Sequence, residues 1–355
     1  MSREWEKNIR KIAPYVPGEQ PQGTDIVKLN TNENPYPPAP GVKKLIEDFE
    51  SGCLRLYPDP DSKLLVESLA EYYEVDNEEV FVGVGSDDVL AVAFMTFFNS
   101  EKPILFPDIT YSFYPVWAEL FKIPFERPML DENFNIKSSD YYKENGGVII
   151  ANPNAPTTIC EGLDVVEDIL IHNQDCVVIV DEAYIDFGGE SAIKLINKYK
   201  NLLVVQTFSK SRSMAGLRIG YAIGDKELIK SMNDVKFSYN SYTMNQPALR
   251  IGVEAVRDDK YFKETILKII DTRDTAIKKL GKLGFECLDS KANFIFAKHK
   301  EYSAKELFEF LKSQKIYVRY FSLPRIDNFL RITIGTNEQM EKLYRTIEEY
   351  IKLKK

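Results

Sequence analysis

The sequence predicts an α/β protein: a large domain on a mostly parallel sheet with helices on both faces, joined to a smaller α+β domain. Three observations carry this reading. Between residues 79 and 224, short apolar runs alternate with stretches of helical spacing, the mark of repeated strand–helix units. Some of these runs, such as Val177-Val178-Ile179-Val180, are apolar throughout, as strands covered on both faces are. Past residue 245 that pattern stops and longer helices with isolated strands follow. A length of 355 residues suits about two domains. The expected division is an N-terminal arm that is part of the small domain (1–50), the large domain (51–250) and a small C-terminal α+β domain (251–355).

Composition narrows the function. With 44% hydrophobic and 28% charged residues, the chain resembles an ordinary globular protein. A net charge of −8 disfavours nucleic acid as a partner. No apolar run reaches transmembrane length, and the first residues lack the apolar stretch of a signal peptide, so no membrane is expected and the cytoplasm is the expected compartment. Cys53, Cys160, Cys176 and Cys287 show no C-x-x-C spacing, and no metal is expected. With only His172 and His299, acid–base work falls to lysine, tyrosine or carboxylates.

In chain order, the arm is rich in proline and asparagine, which excludes a long helix or a central strand. Ile26 to Leu29 has strand character, and the polar cluster after it is expected to line something. Tyr57-Pro58-Asp59-Pro60-Asp61 is a turn, and Lys63 to Tyr73 a helix. Val80 to Val84 is a strand. Gly85-Ser86-Asp87-Asp88 then opens the helix Val89–Phe98, and free N–H groups at a helix start favour an anion. Ile104 to Phe106 is a strand, with Tyr111 at the junction into helix Phe113–Phe121. Strands at 123–126 and 147–151 follow, the second ending in Asn152-Pro153-Asn154-Ala155-Pro156-Thr157-Thr158. After helix Leu163–His172, strand Val177–Val180 delivers Asp181-Glu182-Ala183-Tyr184. Strand Leu202–Val205 delivers Thr207-Phe208-Ser209-Lys210, and Arg218–Gly224 is another strand.

Open α/β sheets bind ligands at the carboxyl ends of their strands. Gly85-Ser86-Asp87, Asp181 with Tyr184, and Ser209 with Lys210 therefore share one edge. A lysine there can be desolvated and lose its proton, as Schiff-base chemistry requires, while hydroxyls beside Arg218 suit a phosphate. Beyond 245, helices are expected at 246–256, Lys260–Lys282, Ala304–Gln314 and Glu338–Lys352, with strands at 293–298, 316–320 and 329–334. Arg331, inside an apolar strand, needs an anionic partner if it is buried.

Asn32-Glu33-Asn34-Pro35, Tyr57-Pro58-Asp59, Gly85-Ser86-Asp87, Thr110-Tyr111, Asn152-Pro153-Asn154, Asp181-Glu182-Ala183-Tyr184, Ser209-Lys210 with Arg218, and Leu330-Arg331-Ile332 occur in the order found in class II aminotransferases that depend on pyridoxal 5'-phosphate (PLP). The chain resembles that family over nearly its whole length, and within it the branch whose amino donor is L-histidinol phosphate. The resemblance implies PLP-dependent transferase fold type I, with a seven-stranded, mostly parallel sheet, and a homodimer with active sites shared between subunits. It implies that Lys210 bonds the cofactor, Asp181 pairs with its ring nitrogen, Tyr184 binds its phenolic oxygen and Tyr111 stacks on its ring. Gly85, Ser86, Asp87, Thr207, Ser209 and Arg218 would form the phosphate site, with Tyr57 reaching in from the other subunit. Arg319 and Arg331 would hold the substrate's anion beneath Tyr15 and Asn32. The implied reaction is transamination with 2-oxoglutarate as acceptor.

One departure matters. The family pattern places asparagine immediately before Pro-Thr-Gly, where this chain has Ala155, with Thr158 in place of the glycine. Either Asn154 reaches the ring from one residue upstream, or Tyr184 acts alone. Other readings compatible with the same motifs are an aromatic or other amino-acid aminotransferase, a threonine-phosphate decarboxylase, and a PLP-binding regulator.

Overall fold

The computed structural model describes residues 3–355. After the arm with strand β1 (Val27–Lys28) come helices α1 (Pro40–Glu47) and α2 (Lys63–Tyr73), then β2 (Val80–Gly83), α3 (Ser86–Phe97), β3 (Ile104–Leu105), α4 (Phe113–Phe121) and β4 (Phe125–Glu126). The chain continues through β5 (Gly147–Ala151), α5 (Leu163–His172), β6 (Val178–Asp181), β7 (Leu202–Thr207), β8 (Gly220–Gly224), α6 (Lys226–Tyr239), α7 (Gln246–Arg257) and α8 (Asp259–Lys282). It closes with β9 (Phe285–Cys287), β10 (Phe294–His299), α9 (Ala304–Ser313), β11 (Ile316–Tyr317), β12 (Arg319–Tyr320), β13 (Leu330–Thr333) and α10 (Asn337–Lys354).

Strands β2-β8-β7-β6-β5-β3-β4 form the seven-stranded sheet in that order. Only β8 runs antiparallel to its neighbours β2 and β7; β3 to β7 are joined by parallel pairings. Side chains alternate across a pleated strand, and both faces here are covered. Val148, Ile150, Val178, Val180, Leu202 and Val204 enter one core cluster, and Ile149, Ile179, Leu203 and Val205 the other. Double coverage is why these strands read as unbroken apolar runs.

A four-stranded antiparallel sheet, β12-β13-β10-β9, forms a second layer. Its core, shared with α8, α9 and α10, takes in Val27 and Leu29 of the arm. Strand β1 pairs in parallel with β11, so the arm is ordered. The stretch expected as one strand at 316–320 is divided: Ile316 and Tyr317 pair with the arm, whereas Arg319 and Tyr320 pair with β13. Three elements lie outside the sequence expectations. Helix α1 starts with Pro40 at its first position, where the missing N–H costs nothing. Helix α6, capped by the Asp225 side chain on the Glu227 N–H, is largely polar. Strand β9 has only three residues.

Candidate active site

Asp181 ends β6, and Lys210 follows the end of the adjacent β7, near enough for its charge to act on Asp181. Lys210 Nζ donates to the Thr31 carbonyl at 3.3 Å and lies 5.8 Å from the centre of the Tyr184 ring. The arm is tied to the same loop, since Asn34 Nδ2 donates to the carbonyls of Lys210 and Ser211. The catalytic lysine expected from the sequence thus sits where the large sheet and the arm meet.

Asp181 is 5% exposed. Its carboxylate accepts from the Tyr114 hydroxyl at 2.8 Å and from the Ala183 N–H at 3.2 Å. Burial pushes its pKa from an ordinary 3.8 up to about 6, against the smaller opposing effects of those two donors and of Lys210. A buried carboxylate with only neutral direct partners favours a cationic N–H against it. Tyr114, fully buried on α4, was not apparent from the sequence. A buried tyrosine hydroxyl needs a partner, but only the fold shows that the partner is Asp181.

The phosphate motifs also meet. Gly85 precedes α3 with φ +85°, and a Cβ there would lie 2.4 Å from Arg218 Nη2; only glycine allows both this backbone and this approach. Arg218 Nη1 donates to Ser209 Oγ at 3.3 Å, and Ser209 is bonded to Thr207 Oγ1 through both its N–H and its hydroxyl. Arg218 Nη2 pairs with Asp87 Oδ2 at 3.1 Å, while Asp87 Oδ1 accepts from the Tyr111 hydroxyl at 2.8 Å. The Asp87 side chain therefore braces the arginine and the aromatic ring. What Ser86 and Asp87 offer an anion is the N–H array of the first turn of α3.

On the opposite side, Arg319 and Arg331 are paired across β12 and β13, which puts both side chains on one face of the sheet. Arg331 Nη2 donates to the Asn30 carbonyl at 2.7 Å, and its Nε is sealed from solvent with no hydrogen-bond partner among the described residues. Both guanidiniums lie 5.6 Å from the Phe321 ring centre. Tyr15 stacks on Phe113 at 4.4 Å between ring centres and approaches Tyr111 at 6.3 Å. Burial raises its pKa, with Arg331 and Arg319 opposing. An unpaired arginine donor and two cations on one face form a ready anion site.

Three expected residues sit differently from the rest. Asn154 is buried with its amide engaged in its own loop: Oδ1 accepts from Thr110 Oγ1, and Nδ2 donates to the Ile109 carbonyl and to Thr157 Oγ1. Ala155 packs with Ala292 and Phe294 beside Tyr184. Asn32 Nδ2 donates to the Tyr184 hydroxyl at 2.9 Å, so it belongs with the lysine as much as with the arginines. Tyr57 stands apart. It is 79% exposed, its ring stacks on Tyr242 at 4.7 Å, and no hydrogen bond or ring contact joins it to this cluster among the described residues.

A lysine amine and a buried carboxylate lie at one sheet edge, with hydroxyls and Arg218 on one side and an arginine pair on the other, an arrangement with donors for two anionic groups. The model of aminotransferase class I and II matches residues 24–347, and the chain belongs to that family; it is an enzyme of the transferase class. The histidinol-phosphate aminotransferase of Lactococcus lactis subsp. cremoris (strain MG1363) is 50% identical over 350 residues, covering 99% of this chain and 98% of the relative. That of Clostridium beijerinckii is 52% identical over 343 residues, covering 97% and 96%. Among solved structures, a histidinol-phosphate aminotransferase from Sinorhizobium meliloti in complex with pyridoxal-5'-phosphate superposes with a TM-score of 0.83 at 21% identity, covering 91% of each chain. The chain has the fold of that structure.

Proposed function

We propose that the protein is a PLP-dependent aminotransferase that moves the amino group of L-histidinol phosphate to 2-oxoglutarate, giving imidazole-acetol phosphate and glutamate in histidine biosynthesis. The observation that supports the chemistry is Lys210 at the same sheet edge as a buried Asp181 to which, among the described residues, no cationic side chain is bonded. Full-length relatives at about half identity support the choice of donor.

The donor set fits PLP. Asp181 suits a protonated ring nitrogen, the cup around Gly85 and Arg218 suits a phosphate, and the Lys210 amine suits an aldehyde. When bound, PLP supplies an aldehyde that links to amines and a ring that withdraws electrons from the substrate Cα. Lys210 would hold the cofactor through its amine and, once free, would take the proton from the donor Cα at Nζ. Asp181 would face the ring nitrogen, with Tyr114 holding Asp181 in place. Tyr184 would bind the phenolic oxygen. Tyr111, braced by Asp87, would cover the ring; Ser86, the Asp87 N–H, Thr207, Ser209 and Arg218 would hold the phosphate. Asn154 shapes the loop that carries Ala155. Arg331 and Arg319, under Tyr15, hold the anion of either substrate, since a guanidinium fork accepts phosphate and carboxylate alike.

In this reading the molecule works as a homodimer, and the exposed Tyr57 completes the phosphate site of a second copy. The arm (1–50) works with the C-terminal unit (251–355) to cover the large domain (51–250). No helix among the described residues is long and apolar enough to cross a membrane, which is compatible with a cytoplasmic enzyme. The deciding assay offers histidinol phosphate, phenylalanine, aspartate and threonine phosphate, each with 2-oxoglutarate. Histidinol phosphate should lead in kcat/KM by roughly tenfold or more, a margin within what one pocket's contacts discriminate, in line with the full-length relatives. A lead for phenylalanine, or release of CO2 from threonine phosphate, would overturn the substrate assignment.

A further inference from the structure

Tyr184 has one protein hydrogen-bond partner for its hydroxyl among the described residues, Asn32 Nδ2 at 2.9 Å. The direction of that bond is fixed from behind. The Asn32 backbone N–H donates to Thr333 Oγ1, and Thr333 Oγ1 donates in turn to Asn32 Oδ1, both at 3.0 Å. Thr333 is buried on β13, and turning the Asn32 amide over would leave its hydroxyl proton with no acceptor. Buried groups left unsatisfied in this way are costly. Asn32 is itself held: it is 1% exposed, adopts φ +56°, and its carbonyl accepts from Asn293 Nδ2 at 3.0 Å. Its Nδ2 can only donate, so the Tyr184 oxygen accepts and the hydroxyl proton must be given to something else.

We propose that Thr333 and Asn32 are positioning residues that make Tyr184 an obligate hydrogen-bond donor to the cofactor's phenolic oxygen. The inference rests on the reading above that Tyr184 addresses that oxygen. It also accounts for the alanine at position 155, because the direction of the tyrosine's proton is set from the arm and β13, not from the loop before Pro156. The other titratable groups around Tyr184 are Lys210, Asp181 beyond it, Arg331 and Tyr15 on the substrate side, and Tyr111 and Tyr114 around α4. Among the described residues, none of them is hydrogen-bonded to the Asn32 or Thr333 side chain.

A donor on the phenolic oxygen stabilises its anion most once the lysine–cofactor linkage has lost its own proton. Losing that donor therefore raises the pH at which the linkage deprotonates. The test titrates the absorbance of the PLP-loaded enzyme against pH, without substrate, for Tyr184→Phe, Thr333→Val, Asn32→Gly and Thr333→Ser. Glycine suits the positive φ of residue 32, so this variant decides the matter if Thr333→Val does not fold. The midpoint should rise by about one pH unit in Tyr184→Phe, the size expected for a lost hydrogen bond to a charged group. Thr333→Val and Asn32→Gly should rise in the same direction by at least roughly a third of that shift, and Thr333→Ser should titrate like the parent. A shift in Tyr184→Phe alone, with Thr333→Val and Asn32→Gly unchanged, overturns the relay while sparing the tyrosine's role. No shift in Tyr184→Phe overturns that role, and the relay with it.

Discussion

Replacing Asp181 by asparagine is the sharpest probe of this site, because it keeps shape and removes charge. Among the described residues the buried carboxylate is bonded only by Tyr114 and a backbone N–H, and burial pushes its pKa from 3.8 up to about 6. A rise of about two units corresponds to ~3 kcal/mol of strain on the ionised form. A protonated ring nitrogen against the carboxylate offsets that cost, and the same energy then favours protonation of the ring during proton removal from the substrate. An amide in place of the carboxylate loses this coupling, so the donor half-reaction should slow by about two orders of magnitude, from ~3 kcal/mol at ~1.4 kcal/mol per decade. Stopped-flow absorbance with a single turnover of donor measures it directly. Retention of PLP should change far less, because Lys210 and the phosphate cup are untouched.

The apo protein gives an independent reading of the same charge. A raised carboxyl pKa contributes stability that is full below the unfolded value near 3.8 and lost as pH rises through about 6. Apo wild type should therefore lose ~3 kcal/mol more than apo Asp181→Asn between pH 3.5 and 7 in denaturant titrations. A half-reaction within roughly fivefold of wild type, or parallel stability curves for the two proteins, would refute the reasoning.

Lys210→Ala should abolish turnover and remove the borohydride-reducible cofactor link, as mass spectrometry of the reduced protein would show. Arg331→Lys keeps the charge but loses the fork, so KM should rise for donor and acceptor together, roughly tenfold each; a rise for only one would mean that the two anions use different sites. Gly85→Ala drives a Cβ to 2.4 Å from Arg218 Nη2 at φ +85°, a strain of ~1–3 kcal/mol, and should raise the PLP dissociation constant roughly tenfold by fluorescence titration. Tyr57→Ala alone should weaken PLP binding. Mixed dimers of Tyr57→Ala and Lys210→Ala should regain part of the activity, since one of their two sites combines an intact Lys210 with an intact Tyr57; no recovery on mixing would argue that the tyrosine serves its own chain.

The large sheet was legible in the sequence because its strands are buried on both faces and its helices are amphipathic, so local pattern and tertiary role agree. The helices Lys63–Tyr73, Phe113–Phe121 and Leu163–His172 and the strand Gly147–Ala151 fall at their expected bounds. Where local pattern and role part, the sequence is mute. Helix α6 is polar, with only Ile229, Met232 and Lys236 buried, and α1 is masked by the prolines around it. The break at Val318 exists because one half of the stretch pairs with the arm and the other with β13, a choice made 290 or so residues away from the arm.

The same division runs through the site. On the cofactor side, the sequence expected Lys210, Asp181 and Ser209 at one sheet edge because parallel strands such as β6 and β7 end on the same side, and Arg218 returns to that edge at the start of the antiparallel β8. The substrate side depends on contacts between the arm and β13, such as Arg331 with the Asn30 carbonyl and Thr333 with Asn32, each spanning 301 residues. They flank the pairing of β1 with β11. The direction of the Tyr184 proton is fixed there, beside an arginine whose Nε awaits a partner. Binding an anion at Arg331 and ordering the arm therefore favour each other, and by linkage each should strengthen the donor that Tyr184 presents to the cofactor. Val27→Asp, which puts a charge where β1 is buried beside β11, should then weaken anion binding and raise the linkage midpoint together, whereas a loss of anion binding with an unmoved midpoint would separate the two.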